Sequence, residues 1–227
     1  MTRQAETRRR RRAPLTRERV LRAALALADK GGIEALSMRN VGKRLGVEAM
    51  SLYNHVANKE DLVDGLIDIV FSEIEFPGPG EAAWRIAMRA RAISIREALN
   101  RHRWAVGLME GRMNPGPANI RYHDRVMGCL RVGGFGFRDA VHAYSLQDAY
   151  IYGFALQEKY LGFETPEQSA EKIDTQRQQV PDMDEFPYLM EVAMELQKAG
   201  YDYETEFVFG LDLILDGLER FRNAGSV

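Results

Sequence analysis

The sequence has one cysteine, Cys129, so no disulfide can form within it, and a thiol kept reduced points to the cytoplasm. Among apolar neighbours, Cys129 reads as a small buried hydrophobe. No apolar run approaches the roughly 20 residues that span a bilayer. The arginine-rich start lacks a following apolar segment, so neither a secretory signal nor a membrane partner is expected. Alternation of apolar and polar residues at strand period is missing, and so is any internal repeat. There is no HExxH, GxSxG, phosphate-binding glycine loop or cysteine pair, and "GGFGF" (Gly133 to Phe137) follows no strand pattern. These absences argue against an enzyme. His123 and His142 lack ligand partners at useful spacing, so neither a metal site nor a cofactor is expected.

What is present is a packable core, with 45% hydrophobic and 28% charged residues. The net charge of -2 conceals a division. Residues 1–61 hold 14 Lys and Arg against 7 Asp and Glu, whereas the remainder is acidic by 9. Such asymmetry suggests a polyanion-facing end on an acidic body. The run Arg8 to Arg12 is too dense in like charge to fold alone, so residues 1–14 read as a disordered basic arm. It could follow a DNA backbone, enter a minor groove, or be no more than a solvated tail.

The rest reads as all-α. Thr16 can cap a first helix with Val20, Ala23, Ala24 and Leu27 on one face, stopped by Gly31-Gly32. Ser37 can cap a second through Val41 to Leu45, Gly46 supplies a turn, and a third runs from about Glu48 to Val56. Asn58 caps a fourth, with Leu62, Leu66, Ile69 and Val70 as its stripe. "PGPG" (Pro77 to Gly80) breaks the pattern. Beyond it come helices over about 81–100, a short one to Met113, 118–132 and 138–160. Residues 162–187, with Pro166, Pro181 and Pro187, read as a long mobile loop, followed by helices near 188–199 and 205–223.

Two short helices joined at a glycine, the second carrying exposed polar residues, describe a helix-turn-helix. Gly42 is small where the two helices approach, Gly46 permits the turn, and Val47 and Leu52 point inward. Ala49, Met50, Ser51, Asn54 and His55 then form an outward face about the size of a major groove. Tyr53, His55 and Ser suit phosphate oxygens. Lys59 adds charge beside helix N-terminal amides, and Arg39 can reach a guanine edge. A helical hairpin with its polar side in water would share any one of these residues; the whole constellation favours DNA.

"GIEALSMRNVGKRLGVEAMSLYNHVANKEDLVDGLID" (Gly32 to Asp68) closely resembles the DNA-binding domain of the tetracycline-repressor (TetR) family. The match rests on Leu45-Gly46-Val47, Leu52-Tyr53-Asn54-His55 and Lys59-Glu60-Asp61-Leu62. "FVFGLDLILDGLERF" (Phe207 to Phe221) is similar to the last dimer helix of the tetracycline repressor. The resemblance implies an all-helical homodimer, with a three-helix head joined by a fourth helix to a larger ligand-binding and dimerisation bundle. The domains would be residues 15–61 and 62–227. By position, Arg39, Ala49, Met50, Ser51 and Asn54 would face bases, and Ser37, Tyr53, His55 and Lys59 would hold phosphates. Departures also matter. Asn54 replaces a bulky aromatic and Ala49 a base-reading Gln, so the operator is not inherited. The magnesium-holding His falls at Met109 and a drug-contacting His near Glu75, so a magnesium–tetracycline effector is not expected.

In the body, Trp84, Met88, Trp104, Met109, Met113, Tyr150 and Phe154, with Arg91 and Gln147 interspersed and Tyr144, Tyr152, Arg112 and Gln157 in the same group, suit a largely apolar pocket for a small, planar or aromatic effector. Taken singly, such residues are more often core. In the last helix Phe207, Leu211, Ile214, Leu215 and Leu218 are too many for one thin seam. With the helix 138–160 they could build a four-helix dimer interface, or else a monomer's core. The expectation is a ligand-responsive repressor that binds a palindromic double-stranded DNA operator as a homodimer. An effector-independent DNA-organising protein and an activator on the same scaffold remain the alternatives.

Overall fold

The computed structural model describes residues 14–161, 165–179 and 185–225. Within them the chain is helical, without strands, and divides into two compact units, the first ending at Leu66 and the second beginning at Ile67. The basic arm falls outside these residues except for Pro14.

The first unit holds α1 (Arg17–Gly31), α2 (Met38–Leu45), α3 (Ala49–Leu52) and the start of α4 (Lys59–Ser72). Thr16 Oγ1 accepts the Arg19 N–H and Ser37 Oγ accepts the Asn40 N–H, so both caps stand as the sequence suggests. Val20, Ala24, Leu36, Val41, Leu52 and Leu62 form the centre of its core. α2 ends at Gly46 in the left-handed region (φ 68°), whose N–H bonds back to Gly42 and Lys43 carbonyls. A Cβ on Gly42 would lie 2.8 Å from the Val47 carbonyl oxygen, so the α2–α3 approach needs glycine there.

α3 is shorter than the expected 48–56 helix, and the polar groups around it explain why. The Arg17 guanidinium takes the His55 carbonyl at 3.0 Å, and the Asp61 carboxylate takes the Ala57 N–H at 2.7 Å. The His55 and Val56 N–H groups still turn back onto the Leu52 carbonyl, but the next carbonyl and N–H are taken by side chains, and residues 53–55 form a turn.

The second unit contains the rest of α4, then α5 (Trp84–Arg101), α6 (Pro117–Val132), α7 (Phe137–Leu161), α8 (Pro166–Gln179), α9 (Pro187–Ala199) and α10 (Tyr203–Asn223). α5, α7 and α10 pack together, with α6 against α5 and α7. Ion pairs tie α5 to its neighbours: Arg89–Asp212 (3.0 Å) and Arg85–Asp216 (2.7 Å) to α10, and Arg96–Glu158 (2.6 Å) to α7.

Three expectations are corrected here. The short helix to Met113 is a single 3-10 turn, Arg103–Ala105, then irregular chain in which Gly107 and Gly111 take positive φ. The expected loop 162–187 contains α8. Pro166 and Pro187 open helices rather than break them, because a first-turn residue needs no intrahelical N–H. On α10, Phe207, Leu211, Leu215 and Leu218 are buried within the chain itself. Its outward apolar residues include Phe209 and Leu213, and those of α7 include Val141, Leu146, Leu156 and Tyr160.

α8 and α9 pack as a hairpin whose base is stapled. Ser169 is buried; its hydroxyl donates to the Pro166 carbonyl and accepts the Tyr201 N–H. Gly200 (φ 73°) lies so close that a Cβ would meet Pro166 O at 2.5 Å.

Candidate DNA interface and ligand site

α3 and the turn after it carry the exposed face of the first unit. Met50 is 75% and Tyr53 45% exposed. Arg39, Asn54 and Lys59 are exposed, and Ser37, Ala49, Ser51 and His55 half-buried. Ser37 Oγ accepts from the backbone, which leaves its hydroxyl proton free to donate outward. The sequence reading overlooked the clamp that sets this face. Arg17 Nη2 meets Asp61 Oδ1 at 2.6 Å and Nη1 meets Oδ2 at 3.0 Å, a bidentate pair between α1 and α4. Asp61 N–H is capped by Asn58 Oδ1 at 2.8 Å. Hydrogen bonding from Arg17 holds the Asp61 carboxyl below its ordinary range.

The nine candidate ligand residues do not form one group. Arg91, Met88 and Gln147 are fully buried, and Trp104 and Met109 nearly so. Trp84 packs edge-on against Phe135 (4.8 Å) beneath Arg222. Tyr150 and Phe154 join a separate aromatic group around Phe207, at 5.5 and 5.1 Å. Burial pushes the Tyr150 phenol up to about 12. Met113 is 91% exposed.

Around Arg91 lies a polar cluster in which the expected pocket residues Tyr144, Gln147 and Tyr152 are joined by Tyr122, His123 and Asp148, which the sequence pattern did not single out. Arg91 Nε donates to Tyr122 OH at 2.7 Å, and its Nη2 is ion-paired with Asp148. The Tyr122 and Tyr144 rings lie 5.3 and 5.4 Å from the guanidinium carbon. His123 Nδ1 faces the Asn119 carbonyl and so donates, leaving Nε2 to accept the Tyr144 hydroxyl at 2.9 Å. Burial disfavours the Arg91 charge, but Tyr122 and Asp148 outweigh it, so the group stays firmly protonated. Burial raises Tyr122, Tyr144 and Tyr152, keeping all three as phenols. It also raises the exposed-rim carboxyl Glu110, helped by Asp148. Among the described residues, Arg91 Nη1, Asp148 Oδ2 and Gln147 Oε1 are buried without a hydrogen-bond partner, whereas the Tyr152 hydroxyl is turned to the Glu110 carboxyl. The available signal was Tyr144, Asp148 and Tyr152 at i, i+4 and i+8, one α7 face carrying a carboxylate among rings.

The sequence pattern of the family described as "Bacterial regulatory proteins, tetR family" matches residues 20–66, and that of "Tetracyclin repressor-like, C-terminal domain" matches residues 76–222. The chain belongs to the TetR family of transcriptional regulators. Among its TetR-family relatives, the HTH-type transcriptional repressor DrrR1 of Streptomyces coeruleorubidus is 32% identical over 90% of this chain and 77% of its own length. The class D tetracycline repressor protein of Escherichia coli is 32% identical over 91% of this chain and 90% of its own. The TetR-family protein ActR of Streptomyces coelicolor, solved in complex with actinorhodin, superposes with a TM-score of 0.76 at 30% identity, covering 94% of this chain and all of that one. These relatives are regulators rather than enzymes. Among the described residues no helix is long and apolar enough to cross a membrane.

The Arg17–Asp61 clamp generates a pH signature. The folded Asp61 pKa lies below its unfolded value, so its stabilisation is complete above about pH 4 and is lost as pH falls through the folded value. Both side chains are partly exposed, which limits the effect to about 1 kcal/mol or less. Asp61→Asn should lower the melting temperature at pH 7, and the gap to the native protein should shrink in thermal scans taken down to pH 3.

Proposed function

We propose that this protein is a ligand-controlled transcriptional repressor: a homodimer whose two heads grip a palindromic operator and let go when a small hydrophobic effector binds the body. The observation that carries the reading is the exposed α3 face, held by the Gly46 turn on one side and the Arg17–Asp61 clamp on the other. In this reading residues 15–61 are the DNA-binding domain and 62–227 the effector and dimer domain. Arg39, Ala49, Met50, Ser51 and Asn54 face bases; Ser37, Tyr53, His55 and Lys59 hold phosphates. DrrR1 being a repressor, and ActR having been solved with actinorhodin, support both halves of the reading.

The dimer surface is the outward face of α7 and α10. On α7, Val141, Ala149, Gly153, Leu156 and Tyr160 follow helical spacing, and nothing lies within 4 Å of where a Gly153 Cβ would be. Phe209 (63% exposed) and Leu213 (55%) extend the surface onto α10. Exposed apolar rows at this density mark an interface, and small residues at the middle let helices approach closely.

Switching needs an effector that prefers one arrangement of the body over another. α4 is one continuous helix shared by the two units, and its second half reads the state of α6. Asp68 accepts the Ala118 and Asn119 N–H groups at 2.8 and 2.9 Å, and Phe71 packs on Tyr122 at 5.0 Å and His123 at 5.6 Å. A ligand that shifts Tyr122 or His123 therefore pushes on α4.

DNA flanking the gene should show two protected half-sites about 10 base pairs apart in footprinting, the spacing of one helical turn; protection without sequence preference would refute the repressor reading. Lys59→Ala should weaken binding to every duplex alike and lower the salt slope by about 1, whereas Arg39→Ala should relax base preference in competition assays. Asp68→Ala should leave ligand-free DNA affinity within a few fold while reducing effector-driven release in anisotropy titrations, as expected for a coupling of about 1–3 kcal/mol. Leu213→Glu should convert dimer to monomer in sedimentation velocity without unfolding the chain.

A further inference from the structure

We propose that Met50 reads the 5-methyl group of a thymine in each operator half-site, and so fixes one base pair of the sequence that this protein selects. This rests on the DNA-binding reading above and names what one side chain of the α3 face takes hold of.

Among the described residues of the first unit, Met50 and Tyr53 are the only large apolar side chains left exposed. Tyr53 ends in a hydroxyl that a phosphate oxygen can satisfy. Met50 has no such outlet. Its thioether donates nothing and accepts only weakly, and at 75% exposure it packs on little of its own chain. The backbone beneath it is nevertheless closely held. α3 opens so near α2 that a Cβ on Gly42 would lie 3.3 Å from the Ala49 nitrogen and 3.4 Å from its α-carbon. The Ser51 N–H bonds to the Glu48 carbonyl at 3.0 Å, and the Tyr53 N–H to the Met50 carbonyl at 3.3 Å. A long apolar side chain thus projects from a fixed point into solvent, where it does nothing for the core.

What such a side chain can gain from a major groove is narrow. Phosphate oxygens are acceptors, and nearly every group on the base edges is a donor or an acceptor. Pressed against those, Met50 would strip away water and return no hydrogen bond, which costs affinity. The thymine 5-methyl is the apolar group on that edge. Burying it against the thioether removes apolar surface from water on both partners, and the unbranched side chain can follow the methyl's position. The neighbours divide the remaining work. Ala49 is small and adds no donor, while Arg39 and Asn54 are exposed and carry the groups that pair with guanine and adenine. Met50 is the position among them suited to a methyl.

Duplexes are first selected from a randomised DNA library with the full-length protein. Each thymine of the enriched half-site is then replaced by deoxyuridine, which lacks only the methyl. At one position, uracil should weaken binding of the native protein about fourfold per half-site, the scale of one buried methyl. Met50→Ala should bind the thymine and uracil duplexes equally, with an unchanged melting temperature because the side chain lies outside the core. Should that variant prove unstable, the uracil scan of the native protein carries the test alone. An enriched half-site without thymine, a scan with no uracil-sensitive position, or a Met50→Ala protein that still tells the two apart would overturn the proposal and leave sequence-specific binding standing. Failure to enrich any sequence would overturn the repressor reading and this proposal with it.

Discussion

A charged pair with almost no exposure sits at the heart of the second unit. Arg91 is fully buried on α5 and Asp148 nearly so on α7. Taking two such ions out of water costs several kcal/mol each before their attraction is counted, and hydrophobic replacements often match or exceed a buried pair in stability. Stability alone is therefore a weak reason for its presence. What the pair does is fix one register of α5 against α7, orient Tyr122 through Arg91 Nε, and keep a polar interior in an otherwise apolar bundle.

The first unit applies the same economy with less burial. One bidentate pair, Arg17–Asp61, reaches from α1 to α4 and collects the His55 carbonyl and the Ala57 N–H on the way. The chain after α3 is thus held by side-chain charges as well as by the backbone bonds of His55 and Val56 to Leu52. Four residues of helix would be too short to persist alone. Gly42, Gly46 and this clamp supply the rigidity that such a short element lacks.

Much of this was legible in the sequence, and the parts that were share a local cause. Thr16, Ser37 and Asn58 cap helices through contacts three residues away, and Gly46 ends α2 through its own φ. What was not legible depends on partners far along the chain. Arg91 meets Asp148 at a separation of 57 residues and Arg17 meets Asp61 at 44, and no periodicity announces either. The α10 stripe was visible as apolar, but which of its two apolar sides turned inward depended on α5 and α7. Pro166 misled for a different reason: the same ring that stops a helix in its interior is at home in its first turn. The aromatic and methionine residues were read as one pocket because spacing cannot separate Trp84 at Phe135 from Tyr150 at Phe207.

The staple at the foot of the α8–α9 hairpin has an evolutionary consequence. Ser169, Pro166, Tyr201 and Gly200 bind the hairpin's start to its exit, so its path leaves and rejoins the bundle at nearly the same point. Whatever lies between can lengthen, shorten or change composition without altering where α10 begins. A lineage could exchange this excursion wholesale while inheriting the bundle untouched, as a tool handle accepts new heads on a common fitting.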